Sequence, residues 1–141
     1  MIVRRIFTEI SGKKKELKKP ARLEKVNNTM NIEKVERGKI GDTDILRFKF
    51  AFKTEYVGGK QTLAELNVKG EVWYTDKPEK LAEIEKQWKK EKKLEPRLME
   101  AIMNTAFEGA QIVAINLAKD LEIPLPVRLM RVRFTKPREI G

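Results

Sequence analysis

The side chains able to do acid–base, nucleophilic or ion-binding work in this chain are carboxylates, lysines and arginines, because it contains no histidine and no cysteine. Without cysteine there are no disulfides, no thiolate catalysis and no thiolate-ligated zinc; without histidine the commonest general base and metal ligand are gone. A metal site would have to be built from carboxylates alone, and a reaction would need a carboxylate pair or a lysine in a pocket. No such constellation stands out along the chain. There is no glycine-rich phosphate loop, and Gly58-Gly59 is accounted for as a turn. The expectation is a protein that is not an enzyme and uses no cofactor.

Binding chemistry is better represented. Thirty-one lysines and arginines against 21 carboxylates leave a formal charge of +10, which raises nucleic acid as a partner. The cations are concentrated in Lys13–Lys19, Lys89–Lys93 and Arg128–Arg138. These runs are scattered and carry neither an RNA-binding strand motif nor a helix-turn-helix pattern. Phe48, Phe50 and Phe52 resemble base-stacking aromatics, but they occupy the one continuous apolar face of their segment and read as core. Basic charge of this kind supports non-specific, salt-sensitive nucleic-acid binding; a basic RNA-binding module is the alternative function.

The element that most needs a partner is Pro96–Pro126, which reads as one long helix. Leu98, Met99, Ile102, Met103, Ala106, Phe107, Ala110, Val113, Ala114, Leu117, Ala118 and Leu121 form a stripe roughly 200° wide, about twice that of an ordinary surface helix. Ile112 and Ile115 fall on its back, where a sheet packed against the front cannot reach. They are the candidate subunit interface, together with Trp73 on the polar side of its strand. Surplus apolar surface of this kind is covered either by a second copy or by an apolar client.

The remaining elements follow from periodicity. Residues 2–10 read as a strand, 13–25 as a long connection containing Pro20, and 28–38 as a strand with imperfect alternation. In 45–56 the even positions Leu46, Phe48, Phe50, Phe52, Thr54 and Tyr56 share a face; in 62–75 Ala64, Leu66, Val68, Gly70, Val72 and Tyr74 do. A two-residue Gly-Gly loop would pair even with odd positions, so a three-residue loop Gly58-Gly59-Lys60 is expected, setting Phe52 opposite Leu66, Phe50 opposite Val68 and Gly70 opposite Phe48. It also puts Lys53 beside Glu65 and Arg47 beside Glu71. A first helix begins at Asp76-Lys77-Pro78-Glu79, with Asp76 as cap in a capping box, a Leu81–Ile84–Trp88 stripe and a Glu85–Lys89 pair. Pro96 stops it and starts the long helix. Residues 127–134 form either a short edge strand or a packed irregular tail. The layout is α+β: a four-stranded antiparallel sheet, a meander with a long first crossover, with helices packed on one face, in a single domain over 1–141. No apolar run reaches the ~18 residues of a membrane span, no signal-peptide pattern opens the chain, and a soluble cytoplasmic protein is expected. Its 37% charged residues, rich in Lys and Glu and poor in Gln, suit a heat-adapted source.

This order, with these residues, resembles the SecB family of export chaperones. The resemblance covers nearly the whole chain. It takes in an opening strand ending near IFTEIS, a long proline-containing crossover, a strand at 28–38 and an aromatic hairpin ending in Val68-Lys69-Gly70-Glu71-Val72. The apolar helix then exits through Ile123-Pro124-Leu125-Pro126-Val127. The resemblance implies an ATP-independent chaperone that assembles as a dimer or dimer of dimers through its long helices and holds unfolded polypeptides in apolar grooves near the crossover and helix. Leu17, Leu23, Met30 and Ile32 are the client-binding candidates; read otherwise, the leucines pin the connection and Met30 and Ile32 belong to a sheet face. Trp88 either caps such a groove or packs between helices. Bacterial members are acidic and engage the export motor through acidic surfaces. This chain is basic, and its C-terminal TKPREIG is basic too, which sets it apart from that partnership.

Overall fold

The structure, a computed structural model, describes residues 1–15 and 22–124. Four strands precede two helices: β1 (Ile2–Lys14), β2 (Lys25–Ile40), β3 (Thr43–Gly58), β4 (Gln61–Tyr74), α1 (Pro78–Glu91) and α2 (Pro96–Asp120). The sheet is antiparallel throughout, in the order β1-β4-β3-β2. β2, β3 and β4 are joined by tight hairpins, and β1 lies beside β4 at the far edge, a Greek-key arrangement. The fold is α+β, as the sequence pattern implies. The expected strand or tail at 127–134 lies outside the described residues.

Period-2 alternation decides which face meets the helices. Leu46, Phe48, Phe50, Phe52, Thr54 and Tyr56 of β3 are buried, and so are Ala64, Leu66, Val68 and Val72 of β4. They form one cluster with Leu81, Ile84 and Trp88 of α1 and with Ile102, Ala106, Ala110, Ala114 and Ala118 of α2. Alanines along the buried side of α2 let the helix axis approach the large rings of β3 closely, so that Phe52 meets Phe107 edge-on at 5.5 Å.

The hairpin register differs from the expected one by two residues while keeping the same faces. Gly58 pairs with Gln61 around a two-residue loop in which both Gly59 and Lys60 have positive φ, 58° and 62°, the geometry whose twist suits a hairpin. Alone this would pair even with odd positions. Val57 pairs with Thr62 but Tyr56 pairs with Ala64, so Leu63 is a bulge that restores parity. Phe52 therefore faces Val68, and Phe50, rather than Phe48, faces Gly70. A Cβ on Gly70 would sit 2.7 Å from Phe50 Cζ, so the missing side chain makes room for a ring, as expected, but for a different one.

Helix ends also depart from expectation. The N-cap of α1 is Lys77, without a side-chain cap bond. The Asp76 carboxylate instead accepts from the Lys77 N–H at 2.8 Å and from the Tyr74 hydroxyl at 2.8 Å. α1 ends four residues before Pro96 begins, through left-handed Lys92, whose N–H donates to the Trp88 carbonyl. Glu95 caps α2, its carboxylate accepting from the N–H groups of Arg97 and Leu98 at 3.2 Å each. Glu85 pairs with Arg37 of β2 at 2.7 Å rather than with Lys89. That contact comes from another element and is invisible to helical spacing.

Candidate functional site

α2 leaves part of the helix-side face of the sheet half-open along β2. Val26, Met30, Ile32 and Val35 stand opposite Tyr56, Phe52, Phe50 and Phe48. Their β3 partners are fully buried, whereas these four are only half-buried against the core. A bulge between Ile32 and Lys34 shifts the phase of β2 from even to odd positions, so that Val35 and Arg37 continue the face begun by Val26, Met30 and Ile32. This is the physical origin of the imperfect alternation in 28–38. The strip contains one polar step, where the buried Thr54 hydroxyl donates to Asn28 Oδ1 at 2.7 Å. At its far end α1 lies against β2 through the Arg37–Glu85 pair.

Of the client-binding candidates, Leu23, Met30 and Ile32 come together on this strip, Leu23 half-buried just before β2. Leu17 lies outside the described residues. Trp88 is 7% exposed within the core cluster, with the Lys92 ammonium 5.7 Å from its ring centre. Val26, Val35 and Phe107 belong to the same half-buried region; the sequence pattern places Val35 in the 28–38 strand and Phe107 on the apolar stripe of the long helix, without marking either as a binding residue. Val26 shares the even phase of Met30 and Ile32, and for Val35 the signal is the bulge-shifted period.

The interface candidates are dispersed. Ile112 is 58% exposed on α2, and Ile115 is half-buried. Trp73 is half-buried on the opposite, outer face of the sheet, where its Nε1–H donates to Glu71 at 2.9 Å and the Arg4 guanidinium lies 5.3 Å from its ring centre. Around it the outer face is a mesh of compensated charge. Arg47 meets Glu36 at 3.1 Å and Glu71 at 3.8 Å, Lys49 meets Glu36 at 3.3 Å, and Lys53 meets Glu65 at 3.1 Å. The Lys53–Glu65 and Arg47–Glu71 attractions exist as diagonal neighbours, since the residues directly opposite are Asn67 and Trp73.

The bond to Glu65 holds the Lys53 ammonium above its ordinary range, and Asn67 and Lys53 hold the Glu65 carboxyl below its own. The Lys77 N–H and the Tyr74 hydroxyl likewise lower Asp76. Burial pushes both Tyr56 and Tyr74 up to about 12. Among the described residues no cluster of three or more carboxylates could hold a metal ion, and no helix is long and apolar enough to cross a membrane. A cleft of 320 Å³ between the helices, lined by Tyr74, Lys80, Ile84, Gln87 and Glu95 among others, mixes charges of both signs.

No protein-family model matches this chain, and no curated protein matches it. The fold supports the class statement that this is an α+β protein with a Greek-key sheet, its helices packed on one face.

Proposed function

We propose that this protein is an ATP-independent, SecB-like chaperone that holds unfolded polypeptide segments without turnover, as an oligomer working in the cytoplasm. The observation that carries the reading is the half-open strip Leu23–Val26–Met30–Ile32–Val35. It is continuous with the core, nearly as long as β2, and lined by flexible and branched apolar side chains that accommodate varied partners. Long strips of this kind bind extended chains through many weak contacts. The absence of histidine and cysteine favours binding over catalysis. Ile112, exposed on the back of α2, supports assembly through that helix, as a dimer or dimer of dimers.

The RNA-binding alternative has the net charge of +10 in its favour. The ion-paired outer face of the sheet counts against it, because those cations already have carboxylate partners. The test is suppression of aggregation of a reduced, unfolded protein by near-stoichiometric amounts of this chain, without nucleotide. Met30→Glu plus Ile32→Glu is expected to abolish the protection while leaving the circular dichroism spectrum unchanged. Protection that survives this substitution, or none in the parent protein, overturns the reading.

A further inference from the structure

The hairpin end of the sheet, where the apolar strip begins, gathers cations from separate segments. Lys13, Lys14 and Lys15 come from β1 and its end, Arg22 and Lys25 from the entry to β2, and Lys60 from the β3–β4 turn; all six are exposed. Among the described residues none of them makes an ion pair within 4 Å, although Lys13 stands opposite Glu65 in the β1–β4 ladder and helps hold that carboxyl below its ordinary range. The acceptors they do have are neutral. Lys14 Nζ donates to the Leu121 carbonyl at 3.0 Å, and Lys15 Nζ donates to Gln61 Oε1 at 3.1 Å. The nearby carboxylates are largely engaged elsewhere: Glu24 accepts from the Gly59 N–H at 3.0 Å, and Glu65, which faces Lys13, is bonded to Asn67 and Lys53. Between Lys13–Lys15 and Thr62–Glu65 lies an open cleft of 330 Å³. Leu23, the first residue of the strip, sits between Arg22 and Lys25 in sequence, and Val26 follows at once.

Building on the polypeptide-binding reading, we propose that this cationic end docks an acidic stretch of an unfolded polypeptide whose adjoining apolar residues lie along Leu23, Val26, Met30 and Ile32. Positive charge without counter-charge attracts any polyanion. Its continuity with an apolar strip favours a chain carrying both acidic and apolar side chains over nucleic acid, whose bases stack on aromatic rings that Leu23, Val26, Met30 and Ile32 do not supply. The consequence is a client preference set by charge: segments with a run of Asp or Glu beside an apolar run are held in preference to neutral or basic ones.

The experiment uses three unstructured, dye-labelled peptides with one common apolar run, preceded by a block of four glutamates, four glutamines or four lysines. Anisotropy titrations with the full chain are expected to give acidic-peptide affinity about tenfold above the neutral one at about 0.05 M salt, the scale of several exposed ion pairs together, falling towards equality at about 0.5 M. Lys13→Gln, Lys15→Gln, Lys25→Gln and Lys60→Asn together are expected to bring the acidic-to-neutral ratio near one. Lys86→Gln, Lys89→Gln, Lys90→Gln and Lys93→Gln remove the same charge from α1 and the turn after it and are expected to keep the preference. Equal affinities in the parent, or equal loss of preference in the two variants, overturn the proposal while leaving polypeptide binding intact. Binding of none of the peptides overturns both readings. Displacement of the acidic peptide by an unstructured polyuridine that binds more tightly overturns the proposal in favour of RNA.

Discussion

Gly70→Ala probes the packing that lets a ring, a strand and its neighbour share one point in the sheet. A Cβ at this position would lie 2.7 Å from Phe50 Cζ and 2.9 Å from Cε2, and would also press on the Ile6 carbonyl oxygen of β1. Carbon atoms in ordinary contact stay about 3.5–4.0 Å apart, so the ring would have to retreat by roughly 1 Å. It has nowhere to go, being 1% exposed and packed edge-on against Phe7 at 6.4 Å. The carbonyl is backbone held by the β1–β4 ladder and gives still less. Overpacking of this kind costs about 1–3 kcal/mol, and with backbone on one side the upper end is expected. Three kcal/mol is roughly a hundredfold in the folding equilibrium and about 10 °C in melting temperature for a chain of this length. Urea and thermal unfolding measure it. Adding Phe50→Leu is expected to recover only the share due to the ring, and amide exchange is expected to accelerate in β1 more than in β2. An unchanged midpoint, or full recovery by Phe50→Leu, would refute the account of a backbone-limited site.

Other outcomes follow from single contacts. Both tyrosines are pushed up to about 12 by burial, against about 10 in an unfolded chain. Because the folded values are the higher ones, their contribution to stability is complete below pH 10 and is lost as pH rises towards 12. A native near-ultraviolet spectrum coexisting with half-ionised tyrosine at pH 10 would contradict this. Glu95→Ala removes both acceptors at the start of α2 and is expected to cost about 1 kcal/mol in denaturant melts; Glu95→Asp should cost less. Ile112→Asp with Ile115→Asp is expected to give a smaller, still folded species in sedimentation, and unchanged mass argues against assembly through α2.

Much of the core was legible from residue order. The even positions of β3 and β4 point inward whatever the register, because strand side chains alternate with a period of two. The two-residue register error at the β3–β4 hairpin arose from where the extra residue sits. Sequence supplies a need for odd parity, but a three-residue loop and a two-residue loop with a bulge at Leu63 both satisfy it. The candidate strip was partly visible for the same reason: Met30, Ile32 and Val35 stood out with imperfect alternation, while the bulge that puts Val35 on the same face was not readable and Val26 lay before the expected start of the strand. Helix spacing also misjudged α2. Gln111 is 3% exposed, whereas Phe107, Val113 and Leu117 of the apolar stripe are only half-buried. A helix wheel assumes a single straight contact line, and the covered arc here shifts along the helix.

By itself, then, the sequence determined what is set locally or by composition: the alternating faces of β3 and β4, the two helices opening with prolines, the excess of positive charge and the lack of thiol and imidazole chemistry. The tertiary structure alone decided which strands neighbour one another, where the bulges fall and that Glu85 answers to Arg37. It also decided that Arg47, Lys49 and Lys53 on the outer face meet carboxylates, while Lys14 and Lys15 at the hairpin end donate to neutral acceptors. Each of these depends on residues far apart in the chain meeting across strands, and side-chain type and spacing carry no information about a distance that only packing sets.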